Sequence, residues 1–145
     1  MKRFACIILM IFINFTGSIY AQKAATVQKT SSKIAVEVLY FHGKQRCPTC
    51  IAIGNHSLDV VNKEFASQVR NGQVKFKEID ISTTEGEKIA DKYHVTWSSL
   101  FVNQWKNGRE KRNDMTTFGF KNARSNPSAF EAGLKNRITQ LLKEE

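Results

Sequence analysis

Apolar residues recur along the chain with two different periods, and the switches between them mark out its elements. Ile34 to Phe41 is an almost continuous apolar run, which reads as a buried strand. It breaks at Gly43 and a short basic turn, Lys44-Gln45-Arg46. From Pro48 onward, Ile51, Leu58, Val61, Phe65 and Val69 recur at helical spacing up to a stop at Asn71-Gly72. Pro48 suits the first helical position, where its missing N–H costs nothing. Val74 to Ile81 alternates and then turns apolar, as a second strand does. Ser82-x-x-Glu85 has the form of a capping box. It predicts a short helix to Tyr93 with Ile89, Ala90 and Tyr93 on one side. Leu100 to Trp105 is a third strand. Asn107-Gly108 is a hairpin turn, so Arg109 to about Met115 is expected to return antiparallel. Thr116 to Ser125 shows no readable period. Asn126-Pro127 caps a last helix with Phe130, Leu134, Ile138, Leu141 and Leu142 on its apolar face. The order is strand, helix, strand, helix, strand, strand, helix, with no internal repeat and no second domain.

The first residues follow another logic. Met1-Lys2-Arg3 precedes an apolar run from Phe4 to Phe15, and small and polar residues then lead to Ala21. This is the layout of a signal peptide, and the run is short for a membrane span. Residues 1–21 are therefore expected to be a cleaved signal peptide, with an uncleaved anchor as the alternative. Residues 22–32 are polar and read as a flexible lead-in, and 33–145 as the folded domain. The expected location is exported, periplasmic or otherwise extracytoplasmic. Cys6, early in the apolar run, is expected to be discarded with it.

The 145-residue chain has 22 Lys and Arg against 13 Asp and Glu, a formal net charge of +9. Losing residues 1–21 removes Lys2 and Arg3 and no acid, so the mature part stays basic. Its basic residues are dispersed, without long blocks and without a nucleic-acid motif. A solvated basic surface, facing an anionic membrane at most, is the expectation, and a nucleic-acid partner is not.

Cys47-Pro48-Thr49-Cys50 changes the picture most. A strand delivers two cysteines to the start of a helix, whose unpaired N–H groups and partial positive charge stabilise a thiolate. The thiolate is the nucleophile of disulfide exchange. Cys50, one turn on, is close enough to close a disulfide onto Cys47. As a structural staple the pair would be weak, because so short a loop removes only roughly 2 kcal/mol of unfolded-state entropy. Zinc would need further ligands beyond these two, and His42, His56 and His94 repeat no ligand spacing. Redox chemistry is the favoured reading.

The element order with Cys-x-x-Cys after the first strand resembles the thioredoxin family over roughly residues 33–143. The resemblance implies an α/β fold with a central mixed four-stranded sheet flanked by helices. It implies dithiol–disulfide exchange with Cys47 as attacking and Cys50 as resolving thiol. No cofactor is implied beyond the redox-active disulfide itself, and no metal. Implied partners are client proteins with thiols or disulfides and a membrane or exported thiol donor or acceptor that recharges the pair, with the protein itself a monomer. Arg46, Pro48, Thr49, Trp97, Ser98 and Ser99 are the expected neighbours of the active site.

Three departures from that family stand out. Arg46 replaces the aromatic residue before the first cysteine. The buried acid of the family is missing, since Tyr40 or Phe41 takes its place by count and Glu37, further back, reads as exposed. The proline that faces the cysteines is replaced by Ser99 or Ser98 within His94 to Leu100. A cis bond before a non-proline costs about 3 kcal/mol, so a trans peptide is expected there. Without that proline the dithiol is expected to be more open to thiophilic metals. Arg46, with Lys44 and His42 behind it, is expected to favour the Cys47 thiolate and so make the disulfide more oxidising. The leading functional expectation is an exported protein thiol–disulfide oxidoreductase. The alternative is a thioredoxin-fold binding or redox- and metal-sensing module without turnover.

Overall fold

The central strand β1 (Val36–His42) is buried at every residue except His42. It lies parallel to β2 (Val74–Asp80) on one edge and antiparallel to β3 (Ser99–Lys106) on the other. β4 (Arg109–Lys111) adds antiparallel to β3, giving the order β2-β1-β3-β4. This computed structural model describes residues 36–144. The expected signal peptide, the lead-in, Cys6, Ile34 and Ala35 lie outside the described residues.

Among the described residues five helices cover the sheet: α1 (Pro48–Glu64), α2 (Ala66–Arg70), α3 (Thr84–Tyr93), α4 (Thr116–Asn122) and α5 (Pro127–Lys143). On one face Val36, Val38 and Tyr40 meet Ile53 and Val61 of α1 and Phe130, Leu134, Ile138 and Leu141 of α5. On the other, Leu39, Phe41 and Ile79 pack with Phe101, Ala90 of α3 and Val95. Each such side chain contributes about 1.5–3 kcal/mol when fully buried. The two cores explain the unbroken apolar run of β1, since a strand covered on both faces has no polar side. The chain has the α/β architecture its element order implied, a mixed four-stranded sheet flanked by helices. No helix among the described residues is long and apolar enough to cross a membrane.

Several local expectations are corrected. The first long helix is two, because Phe65 leaves helical geometry (φ −121°, ψ 23°) and turns its ring into the core. The buried face of α1 is Cys50, Ile53, Gly54, Ser57, Val60 and Val61. Ile51, Leu58 and Val69 are instead 41, 40 and 37% exposed. Small Gly54 and Ser57 occupy the contact stripe there, which apolar periodicity does not register. The cap of α3 is Thr83, whose Oγ1 accepts from Gly86 N at 3.0 Å. Ser82 is engaged elsewhere, donating through Oγ and N to Asp80 Oδ1 at 2.6 and 2.9 Å.

Asn107 and Gly108 form the hairpin turn with φ of 52° and 74°. These are the positive values a two-residue turn of this hand requires. The returning strand is shorter than expected, and beyond Lys111 only an isolated bridge, Phe101 to Asp114, continues it. Thr116 to Asn122, unreadable in sequence, forms α4. Its Phe118 stacks on Phe130 of α5 at 5.9 Å.

Glu37 is not exposed: only 5% of it is accessible. Its carboxylate pairs with Lys77 Nζ at 2.6 Å and accepts from Trp105 Nε1 at 3.0 Å. A charge can be buried where a counter-charge and a hydrogen bond replace its water.

A second polar cluster ties α3 to the hairpin. The Tyr93 hydroxyl donates to Glu110, which also accepts from Asn103 Nδ2 at 2.9 Å and Arg112 Nε at 3.0 Å. Burial alone would raise the Glu110 carboxyl, but the bonds from Tyr93, Arg112 and Asn103 outweigh it and hold the group below its ordinary value. A carboxyl held low when folded contributes stability that is complete above its unfolded pKa, about 4.3, and lost as pH falls through the folded value. Glu110→Gln is expected to cost roughly 1–3 kcal/mol at pH 7 and to flatten the acid side of the stability curve. Urea melts at pH 7 and pH 3 check this, and equal acid slopes in both proteins would dismiss Glu110 as the responsible group.

Candidate functional site

Cys47 is the N-cap of α1, in extended geometry (φ −70°, ψ 160°), with Pro48 following in the first turn. Its Sγ accepts from Cys50 N at 3.1 Å, the place a capping oxygen takes in other helices. The first turn of α1 has no acidic residue to compensate the positive helix end. That leaves the end free to favour a thiolate at Cys47. Cys47 and Cys50 form a disulfide with their Cα atoms 5.0 Å apart. Cys47 is exposed, whereas Cys50 is 8% accessible.

The buried side of the pair rests on β1. The Tyr40 hydroxyl donates to the Cys50 carbonyl at 2.6 Å. Gly54 makes room for the ring, since a Cβ there would fall 2.6 Å from Tyr40 Cε1. Of Tyr40 and Phe41, it is Tyr40 that lies under the motif, while Phe41 packs into the core on the other face of the sheet. Burial pushes its phenol above its ordinary value, with the Arg46 guanidinium and the Ser98 hydroxyl pulling it back. Glu37 stands at the far end of the same strand, paired with Lys77, and takes no part.

The basic turn is partly compensated. Arg46 Nη1 donates to Glu78 Oε1 on β2 at 2.6 Å. His42 Nε2 is 3.2 Å from the same oxygen, and its Nδ1 is 3.0 Å from the Gly43 carbonyl. Lys44 is exposed.

An open groove of about 440 Å³ runs over the disulfide, lined by Gly43, Gln45, Cys47, Cys50, Ile81, Thr96, Trp97, Ser98 and Phe120. No charged side chain lines it among the described residues. Trp97, 59% exposed, stacks on Phe120 with centroids 5.0 Å apart and planes 19° apart. Of the two serines, Ser98 faces the groove. Ser99 has entered β3 opposite Phe41 and donates its hydroxyl to the Trp97 carbonyl at 3.2 Å. All described peptide bonds are trans. Pro48 and Thr49 shape the first turn of α1 without lining the groove. Among the described residues no three His, Cys, Asp or Glu side chains converge as a metal-ligand set.

Sequence reasoning missed Phe120, Glu78 and the bond from Tyr40. Phe120 belongs to the stretch without readable period. Glu78 lies 32 residues from Arg46, and only the parallel pairing of β1 with β2 brings them together. Tyr40 did carry a signal: a phenol in a buried strand needs a hydrogen-bond partner.

No protein-family model matches the chain, and no curated protein matches it. Solved structures similar to it include a thioredoxin from Thermus thermophilus, at 19% identity over 74% of each chain and a TM-score of 0.46. A Fasciola hepatica thioredoxin is 23% identical over 75% of this chain and 83% of its own, with a TM-score of 0.40. Human ERp44 in a zinc-bound form is 20% identical over 75% of this chain and 27% of its own, with a TM-score of 0.45.

Tyr40→Phe is expected to cost about 1 kcal/mol by removing a buried donor, with faster amide exchange at Cys50 and Ile51. Chemical denaturation and hydrogen exchange of the oxidised protein check it. Unchanged stability and exchange would mean that the Tyr40 bond contributes nothing net.

Proposed function

We propose that the protein is a thiol–disulfide oxidoreductase that exchanges disulfides with polypeptide clients through Cys47 and Cys50. The observation that carries this reading is the disulfide's placement: its outer sulfur is exposed at a helix N-terminus, on the floor of an open groove with an aromatic wall. A staple has no need of such access, and this one closes too short a loop to stabilise the fold much.

The exchange has two steps. A client thiolate attacks Cys47 Sγ, the client–Cys47 bond forms as the Cys47–Cys50 bond breaks, and Cys50 leaves as a thiolate that takes a proton from water. A second client thiolate then attacks the client sulfur of the mixed disulfide and expels Cys47 as a thiolate. The client loses two electrons and the protein gains them. Run backward, the same steps reduce a client disulfide, with Cys50 resolving the intermediate. The Cys50 N–H and the end of α1 favour the Cys47 thiolate in both directions. The Trp97–Phe120 stack would hold an apolar client side chain beside the reacting sulfur.

A dithiol sensor or metal-binding module is the second reading, favoured by the serine that stands where the family has its proline. Insulin reduction together with a zinc titration of the reduced protein separates the two.

Cys50→Ser is expected to accumulate client mixed disulfides, visible as reducible bands on a non-reducing gel. Cys47→Ser is expected to accumulate few. Adding Trp97→Ala to Cys50→Ser should reduce client trapping severalfold while sparing glutathione. Equal trapping by both single variants would reverse the roles, and no trapping with a large loss of stability in both would make the pair structural.

We also propose export, on the charged start, short apolar run and small residues of 1–21. Mass analysis of the extracytoplasmic protein should find a new N-terminus near Gln22. Recovery of intact 1–21 in the membrane fraction would instead mean an anchored protein.

A further inference from the structure

Arg46 and His42 both meet one carboxylate beside the disulfide, and neither lines the groove. Glu78 Oε1 accepts from Arg46 Nη1 at 2.6 Å and lies 3.2 Å from His42 Nε2. Arg46 directly precedes Cys47 and His42 ends β1, so the carboxylate joins both ends of the turn that carries the motif. Glu78 itself is anchored, because β2 pairs in parallel with β1 and sets Tyr40 opposite Glu78. The Arg46 and Glu78 side chains are 33 and 44% exposed, so the pair is screened but not fully hydrated.

A free guanidinium next to Cys47 would favour its thiolate and hence the reduced state. A guanidinium whose charge is largely cancelled by a carboxylate does so less, and one held against β2 is also fixed in place. We propose that Glu78 sets the reduction potential of the Cys47–Cys50 pair by compensating and positioning Arg46. Glu78 touches no reacting atom and is a positioning residue. The inference rests on the pair being redox-active but not on any client, since the potential is a property of the protein alone. The couple is the disulfide plus two electrons and two protons giving two thiols. With glutathione as the probe, two glutathione thiols supply the electrons and protons and become glutathione disulfide.

Glu78→Gln keeps the shape of the side chain and removes its charge. It is expected to lower the Cys47 pKa, read from the pH profile of iodoacetamide alkylation. It should also move the equilibrium with glutathione toward the reduced protein by about three- to tenfold, the upper figure being about 30 mV for a two-electron couple. Arg46→Ala is expected to move both readouts the other way. The double variant carries the decisive outcome: on the Arg46→Ala background, Glu78→Gln should have little further effect. Glu78→Asp, which keeps the charge, should return most of the wild-type potential.

A shift from Glu78→Gln that is equally large without Arg46 would overturn the proposal, because the carboxylate would then be acting directly on the sulfur. No shift at all would overturn it as well. Thermal melts of the oxidised and reduced forms guard against a general loss of structure. A shift caused by misfolding would appear in Glu78→Asp too, and that result would also count against Glu78 as a charge-compensating residue. Failure to trap clients with an intact Glu78 effect would refute client exchange and leave this inference standing.

Discussion

Burial of β1 on both faces and pairing on both edges is the constraint from which the site follows. A strand held between two cores and two neighbours cannot slip register by one residue without exchanging its side chains between two differently packed cores. Its end at His42 is therefore fixed, and so is the point at which the chain turns into α1. The same strand supplies Tyr40, which reaches across to the Cys50 carbonyl and pins the first turn of the helix. The position of the sulfur pair is thus set by hydrophobic packing well away from it, and the motif need not contribute to its own placement.

Electrostatics then acts on a fixed geometry. The helix end and the Cys50 N–H favour negative charge at Cys47, and Arg46 would add to that if it stood alone. Glu78 opposes the addition. These are small terms in a partly hydrated site, each on the order of 1 kcal/mol. One unit of thiol pKa is worth about 1.4 kcal/mol, so terms of that size decide how oxidising the pair is while leaving the fold untouched. A charge pair that would be a weak stability argument on any surface becomes significant next to a titrating sulfur.

What could be read from the sequence follows the range of the interactions involved. The first three strands, the hairpin turn at Asn107-Gly108, the last helix and the cysteine pair at a helix start are local patterns, and they appear in the structure close to where the residues suggested. The Phe65 break was not legible, because apolar spacing continues through it while the backbone does not. Ile51 and Leu58 looked like core because they are apolar, yet the helix stripe that meets the sheet is made by Gly54 and Ser57, whose smallness is what close packing needs. Glu37 looked exposed because burial of an acid depends on Lys77 and Trp105, residues brought near only by sheet pairing. The aromatic wall of the groove was hidden for the same reason: Trp97 was in view, but Phe120 lies in a short helix with little period of its own.

The division of labour between core and site also bears on what opening the disulfide would cost the fold. The Cys47–Cys50 loop is short, so opening it returns little entropy to the unfolded chain. Stability resides in the apolar layers on either side of β1 and in the polar clusters at Glu37 and Glu110, none of which needs the disulfide. Cys50 keeps its carbonyl bond to Tyr40 whether or not its sulfur is oxidised, because that bond uses the backbone. Reduction therefore frees two side chains at the end of a helix that stays anchored. In the exchange we propose, the exposed Cys47 sulfur would pass between partners while the buried Cys50 sulfur stays placed to attack the intermediate.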